Sequence, residues 1–271
     1  MKVSLIQMNS VADKARNVAD AHRLARKAVE IDGAELVVFP EHFDWAGGSV
    51  AEKVAAGEDV RGGPAYDMCQ RLARDCQIHV HSGSFYETAA GLGRVYNTTV
   101  VFNPEGEEIG RYRKIHLFDI HTPDGLRYGE SDSVLAGSET CVIDIHGFRM
   151  GLAICYDLRF PELFQKLMRD GADVIVLPAA FTLQTGKDHW EVLCRARAIE
   201  TQCYFLAAAQ IGALEQDGET RYTYGHSLFC DPWGHVIARA SDQVGIVSAR
   251  LDRGLIAKTR KQIPLAQHKV L

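Results

Sequence analysis

An acid, a cation and a thiol in this 271-residue chain could together carry out acyl transfer. Cys155 lies in GLAICYDLRFPEL, between an apolar run at Gly151–Ile154 and Pro161. That order predicts a strand, a sharp turn over Cys155–Arg159 and a new helix. Near a helix N-terminus a thiolate is favoured and its nucleophilicity rises. Glu41 ends the run LVVFPE, where partial burial is expected to raise its pKa toward that of a general base. Lys114 closes the basic run RYRK just before Ile115 and His116. In such a set Glu41 takes the thiol proton and Cys155 attacks a carbonyl carbon. Lys114 and the backbone N–H of Tyr156 then hold the oxyanion, and water hydrolyses the thioester. Each residue also has a plainer reading: a buried structural thiol, a helix cap or ion-paired acid, a solvated edge lysine. Their combination is what points to catalysis.

Positioning these groups requires strands that end at them. Strand patterns occur at 3–8, 36–39, 80–85, 98–102, 110–113, 150–154, 174–177, 204–209 and 225–230, with helical patterns at 17–32, 64–77, 161–170 and 187–201. The last two helices each follow one strand and precede another, which makes βαβ units. Asn103-Pro104-Glu105-Gly106 and Asp231-Pro232-Trp233-Gly234 read as turns, the first of them joining a hairpin. The chain is therefore expected to be α/β with mixed sheets, in one domain over 1–271, with its helix–strand alternation able to hide a two-fold structural repeat. The least regular stretch, 118–138, follows Lys114, where a long loop is often functional.

Composition narrows the function classes. A net charge of −5 with no basic block argues against a nucleic-acid or membrane-surface partner. No run is long enough to span a bilayer, and the N-terminal segment lacks a signal-peptide pattern, so a cytoplasmic protein is expected. Seven cysteines without paired spacing suggest neither a disulfide framework nor a zinc site. The eleven histidines show no metal-binding spacing. Gly91-Leu92-Gly93 is too little for a nucleotide fingerprint, so no metal and no cofactor are expected.

FPEHF (39–43), YRKIHLFD (112–119) and CYDLRFPEL (155–163) together resemble the three signatures of the carbon–nitrogen hydrolase (nitrilase) superfamily. The resemblance runs from Val3 nearly to the C-terminus. It implies a four-layer α-β-β-α sandwich with two mixed sheets. It also implies a Glu41, Lys114, Cys155 triad, with Glu130 of GESDS as a second acid that orients the lysine and shares in proton transfer. A homodimer is implied, formed through the helix after the cysteine and a second helix near 187–201. Tyr156-Asp157 differs from the Trp-Glu that follows the nucleophile in true nitrilases. PAAFTLQTGKDHWEVLCRARAIETQCYFLAAAQ and YGHSLFCDPWG are similar to a branch acting on small carboxylate-bearing amides. Deaminated glutathione leads, with release of ammonia; α-ketoglutaramate or succinamate comes second, and N-carbamoyl compounds third. Tyr156, Arg159, Phe181 and Thr185 are the expected substrate contacts. Arg159 is the carboxylate anchor, unless it ion-pairs with Asp157 or Glu162; Phe181 and Thr185 are placed in the loop after the 174–177 strand. The rival of another class is a non-catalytic interaction scaffold, which has no need of all three triad residues.

Overall fold

The structure is a computed structural model that describes residues 1–121, 125 and 127–270. The N-terminal half contains β1 (Lys2–Gln7), α1 (Lys14–Asp32), β2 (Leu36–Val38), α2 (Val50–Ala55), α3 (Pro64–Cys76), β3 (His79–His81), β4 (Phe85–Ala89), β5 (Arg94–Phe102) and β6 (Glu108–Arg113). Short strands β7 (Asp119–His121), β8 (Arg127–Gly129) and β9 (Val134–Leu135) follow. Next come β10 (Val142–Ile145), β11 (Phe148–Leu152), α4 (Pro161–Arg169), β12 (Val174–Ala179), α5 (Leu183–Thr201) and β13 (Tyr204–Ala209). The chain ends with β14 (Ile211–Gln216), β15 (Glu219–Tyr224), β16 (Leu228–Cys230), β17 (Val236–Arg239), β18 (Gly245–Arg250), α6 (Arg253–Gln262) and α7 (Leu265–His268).

Two sheets dominate. One runs β18-β1-β2-β3-β5-β4, with β6 and β9 also on β5; the other runs β10-β11-β12-β13-β16-β17. In each, three parallel strands (β1-β2-β3 and β11-β12-β13) are flanked by antiparallel ones. The shared pattern is the two-fold structural repeat that helix–strand alternation left open.

Side-chain alternation along the strands builds the layers. Val3, Leu5, Leu36 and Val38 point toward Leu152, Val174 and Leu206 in one core between the sheets. Their neighbours Ile6 and Val37 pack instead against Leu24, Ala28 and Leu72 of α1 and α3. Phe164 of α4 and Trp190 of α5 cover the second sheet. The result is the α-β-β-α sandwich. α1 starts where Asp13 accepts from the Arg16 N–H and stops at left-handed Gly33. No helix among the described residues is long and apolar enough to cross a membrane.

Two boundaries that bear on the site differ from the sequence patterns. The run at 80–85 is split into β3 and β4, because Ser82–Ser84 turn away with Gly83 at φ +63°. A Cβ on Gly83 would strike the Pro40 carbonyl, so glycine lets this loop close onto the segment carrying Glu41. α5 begins four residues earlier than its pattern, because the Thr182 hydroxyl caps it at Thr185 N–H. Thr185 is therefore in the first turn of a helix and not in a loop. In the irregular stretch, 122–124 and 126 lie outside the described residues.

Candidate active site

Glu41 follows β2, and its backbone is held from two directions. Gln210, just past β13, donates through Nε2 to the carbonyls of Glu41 and His42 at 2.9 and 3.3 Å. Ser84 donates its N–H to Pro40 and accepts from the His42 N–H through Oγ. Lys114 follows β6 and continues its pairing with β5 by donating its N–H to the Asn97 carbonyl. Cys155 follows β11 at φ +47° and opens a 3₁₀ turn over Cys155–Arg159 that leads into α4. This is the sharp strand-to-helix turn the sequence predicts. Its left-handed backbone is disfavoured for a residue with a Cβ, so surrounding contacts must hold it.

Asp157 supplies those contacts. It is fully buried and accepts from Ile154 N–H (2.8 Å), the Tyr112 hydroxyl (2.6 Å) and His116 N–H (3.1 Å). Its Oδ1 also lies 2.7 Å from His116 Nδ1, while the His116 ring stacks on Phe160 at 3.8 Å. One carboxylate thus ties the thiol-bearing turn to both sides of Lys114.

Around Lys114 the charges converge. Its Nζ donates to Glu41 Oε1 at 3.0 Å and to the two oxygens of Glu130 at 3.1 and 2.8 Å. Asn97 Nδ2 donates to Glu41 at 2.9 Å and to Glu130 at 3.4 Å, and Phe118 N–H donates to Glu130 at 2.6 Å. Glu41 and Lys114 are each 2% exposed. Burial pushes Glu41 up, but the Lys114 charge and hydrogen bonds from Cys155 and Lys114 outweigh it and hold the carboxyl at about 2. Burial alone led to the opposite expectation. It is corrected by the donors around the oxygens, which favour the charged form. Burial opposes the Lys114 charge too, yet Glu130 and Glu41 raise its pKa well above the ordinary value.

The Cys155 thiol also departs from expectation. Burial first, and then the Glu41 charge, push it well above its usual value, against the pull of Lys114 and the Ala180 backbone. The resting site therefore holds a neutral thiol against an ionised carboxylate, rather than a preformed thiolate. Burial drives His42 down and keeps it neutral; its Nε2 lies 3.6 Å from Glu41 and its ring stacks on Tyr86. Glu41, His42 and Glu130 place ligand atoms within 4.8 Å of one another, but the Lys114 ammonium already sits between the two acids as their counterion.

Glu41, His42, Lys114, Glu130 and Cys155 line one cavity of about 380 Å³. Tyr156, Phe181 and Thr185 line it as well. Arg159 does not: its guanidinium lies over the rings of Tyr156 and Phe181 at 5.8 and 5.3 Å, with Nη1 3.3 Å from His189. Asp157, one expected ion-pair partner, is occupied by Tyr112 and His116. The cations on the cavity wall are Lys53, Lys114, Arg127 and Arg221. Asn97, Lys53 and Arg221 went unnoticed in the sequence, and Asp157 was read only as a possible partner of Arg159. For Asp157 a signal was present, since it stands two residues past Cys155 inside the motif. Asn97 carries none, being one polar residue in an unremarkable strand.

The chain matches the carbon–nitrogen hydrolase family over residues 2–261. It is 41% identical over 269 residues to a deaminated glutathione amidase of Synechocystis, covering 98% of this chain and 96% of that protein. It is 35% identical over 274 residues to an omega-amidase of Xenopus laevis, covering 99% and 94%. The structure superposes on the Caenorhabditis elegans NitFhit protein with a TM-score of 0.90 at 35% identity, spanning 99% of this chain and 65% of that one. A buried acid, lysine and thiol meeting in one cavity, within a sandwich and a sequence shared along nearly the whole chain, make this protein a member of the carbon–nitrogen hydrolase family, an enzyme that hydrolyses amide C–N bonds.

Proposed function

We propose that the chain hydrolyses a small carboxylate-bearing amide through a thioester on Cys155, with deaminated glutathione as the leading substrate. The observation that carries this is the contact of Lys114 with Glu41 at 3.0 Å, with Cys155 hydrogen-bonded to the same carboxylate inside the cavity. The thiol proton passes to Glu41 as sulfur bonds to the carbonyl carbon. The carbonyl electrons move onto oxygen, where the Lys114 ammonium and the Tyr156 N–H stabilise the charge. As Lys114 turns toward that oxyanion, Glu41 loses part of the field that holds its pKa low and becomes the stronger base. Collapse breaks the C–N bond, and protonated Glu41 returns the proton to the departing amine. Glu41 then deprotonates water, which attacks the thioester; the S–C bond breaks, the carboxylic acid leaves and the thiol is restored. Glu130 holds Lys114 on the side away from Glu41 and keeps it oriented.

The leaving group depends on the amide. In deaminated glutathione the scissile nitrogen belongs to cysteinylglycine, so the dipeptide departs. Ammonia, expected from the sequence, leaves from a primary amide such as α-ketoglutaramate. That second substrate is favoured by the similarity to an omega-amidase. N-carbamoyl compounds come third.

We read 1–271 as one catalytic domain acting as a homodimer through α4 and α5. Val192 of α5 is 67% exposed, and Ile199 and Trp233 lie exposed nearby, which supports an apolar partner face. A cytoplasmic location is supported by seven free cysteines. The test of function is intact-protein mass spectrometry during turnover of deaminated glutathione, alongside assays for cysteinylglycine. Dipeptide release with an acyl mass on Cys155 is expected. Turnover by Cys155→Ala at a tenth or more of the wild-type rate, about 1.4 kcal/mol in barrier, would sink the mechanism.

A further inference from the structure

Among the described residues, two cations on the cavity wall lack a closely paired anion. Lys53, in the last turn of α2, is half-buried. Its Nζ lies 6.0 Å from the centre of the Tyr86 ring and donates to Ser133 Oγ at 3.4 Å. Arg221, on β15, has a side chain only 11% exposed and lies 4.4 Å over the Tyr128 ring. Among the described residues its buried Nε finds no hydrogen-bond partner. Its closest carboxylate partner is Glu219 of the same strand, 3.5 Å from Nη2 and more than half exposed. Arg127 shows what a matched cation looks like here, with Asp132 held at 2.8 and 3.1 Å by its two terminal nitrogens.

The acids that face these groups do not complete them. Glu130 lines the cavity but is committed to Lys114 and the Phe118 N–H. Asp217 also lines it, exposed at the tip of the β14-β15 hairpin. Burial draws the Lys53 pKa down; Glu130 and Asp217 oppose this, while Lys114 and Arg221 reinforce it. Lys53 and Arg221 therefore repel each other through the cavity, and an anion between them would relieve that repulsion. A carboxylate fits both: guanidinium donors engage it in pairs, and an ammonium meets it as a point charge.

Their placement says which part of a substrate they reach. Lys53 is separated from Glu41 by the stacked Tyr86 and His42 rings. Arg221 is separated from the nucleophile turn by the succession Tyr128, Phe118, Tyr156, each ring about 5.1 Å from the next. Neither hydrogen-bonds or ion-pairs with Glu41, Lys114 or Cys155. We propose that Lys53 and Arg221 are specificity-determining residues that hold a substrate carboxylate remote from the scissile amide, a reading that rests on the amidase function above. Selection of acid-bearing amides then resides in α2 and the β14-β15 hairpin, outside the segments that carry the triad.

The test measures binding apart from turnover, by calorimetry on Cys155→Ala protein with glutaramate and with its neutral methyl ester. Glutaramate is expected to bind about 10- to 100-fold more tightly than the ester, the range for hydrogen bonds to a charged group. Adding Lys53→Met or Arg221→Gln should weaken glutaramate toward the ester and leave ester affinity unchanged, which also controls for misfolding. Arg221→Lys, which keeps the charge and loses the fork, should fall between. Equal affinity for the two compounds, no binding of either, or a preference that survives both substitutions overturns the proposal. The amidase reading fails separately, if wild-type protein shows the same preference yet releases no ammonia from glutaramate.

Discussion

Two lysines each bridge two carboxylates, Lys114 buried and Lys14 half-buried, and the acids beside them behave in opposite ways. Lys114 lies between Glu41 and Glu130; Lys14 lies between Asp44 and Glu58 at 2.9 and 2.8 Å. In the first cluster Asn97 and the Phe118 N–H add donors to the acids, and Glu41 is held at about 2. In the second, Glu58 takes the backbone donors that open α3, at Ala65 and Tyr66. Asp44 is left with the ion pair to Lys14 and no well-formed hydrogen bond, and burial pushes it up to about 7. Burial is common to both acids; at Glu41 the Lys114 charge and its hydrogen bonds outweigh it, whereas at Asp44 the Glu58 charge adds to it. Only the first cluster also meets a thiol and a cavity. The second fastens the start of α3 to the loop after Glu41 and has nothing to react with.

The sharpest way to break this contrast is to remove each lysine. Lys114→Met should lower kcat by on the order of 10²–10³, as for loss of one oxyanion donor. Lys14→Met should leave kcat within a few-fold while costing about 3–5 kcal/mol of stability, because it strands buried carboxylates. Steady-state kinetics and denaturant unfolding on both variants would decide; equal kinetic losses would erase the distinction between the clusters.

A smaller effect is expected from Asn97→Ala. It removes a donor from Glu41, so the carboxyl should rise from about 2. The acid limb of the kcat/KM profile should move to higher pH with Cys155 alkylation still possible. An unchanged profile would mean that Lys114 alone sets the pKa of Glu41.

The smallest concerns Asp44. Its folded pKa of about 7 exceeds its unfolded value, so the folded state binds the extra proton between those two values. Its contribution to stability is full below the unfolded pKa and is lost as pH rises toward 7. The slope is at most about 1.4 kcal/mol per pH unit. Asp44→Asn should flatten that part of the stability profile, whereas a profile as steep as wild type would assign the proton elsewhere.

Much of this was readable along the chain, for a physical reason. Strand and helix periods follow from local alternation, so β1, β13, α1 and α3 appear close to where they were expected. The β14-β15 hairpin was missed although Asp217-Gly218 is a hairpin signal and both residues adopt positive φ. Its strands bury little, so their pattern is not apolar. Strand β18 has the same weakness: its residues are half-buried against β1, some 240 positions away in sequence.

By itself the sequence placed an acid, a lysine and a thiol at the ends of the elements that carry them, because each depends on a short motif: a strand ending in an acid, a basic strand end, a thiol before a helix. The tertiary structure decided their protonation. Whether Glu41 is ionised, whether Cys155 is a thiol and which cation is left unmatched depend on donors brought from Asn97, Phe118 and Ala180, and on the burial of Lys53 and Arg221. Electrostatic interaction is set by distance in space and by desolvation. No spacing along the chain encodes either until the two sheets have packed.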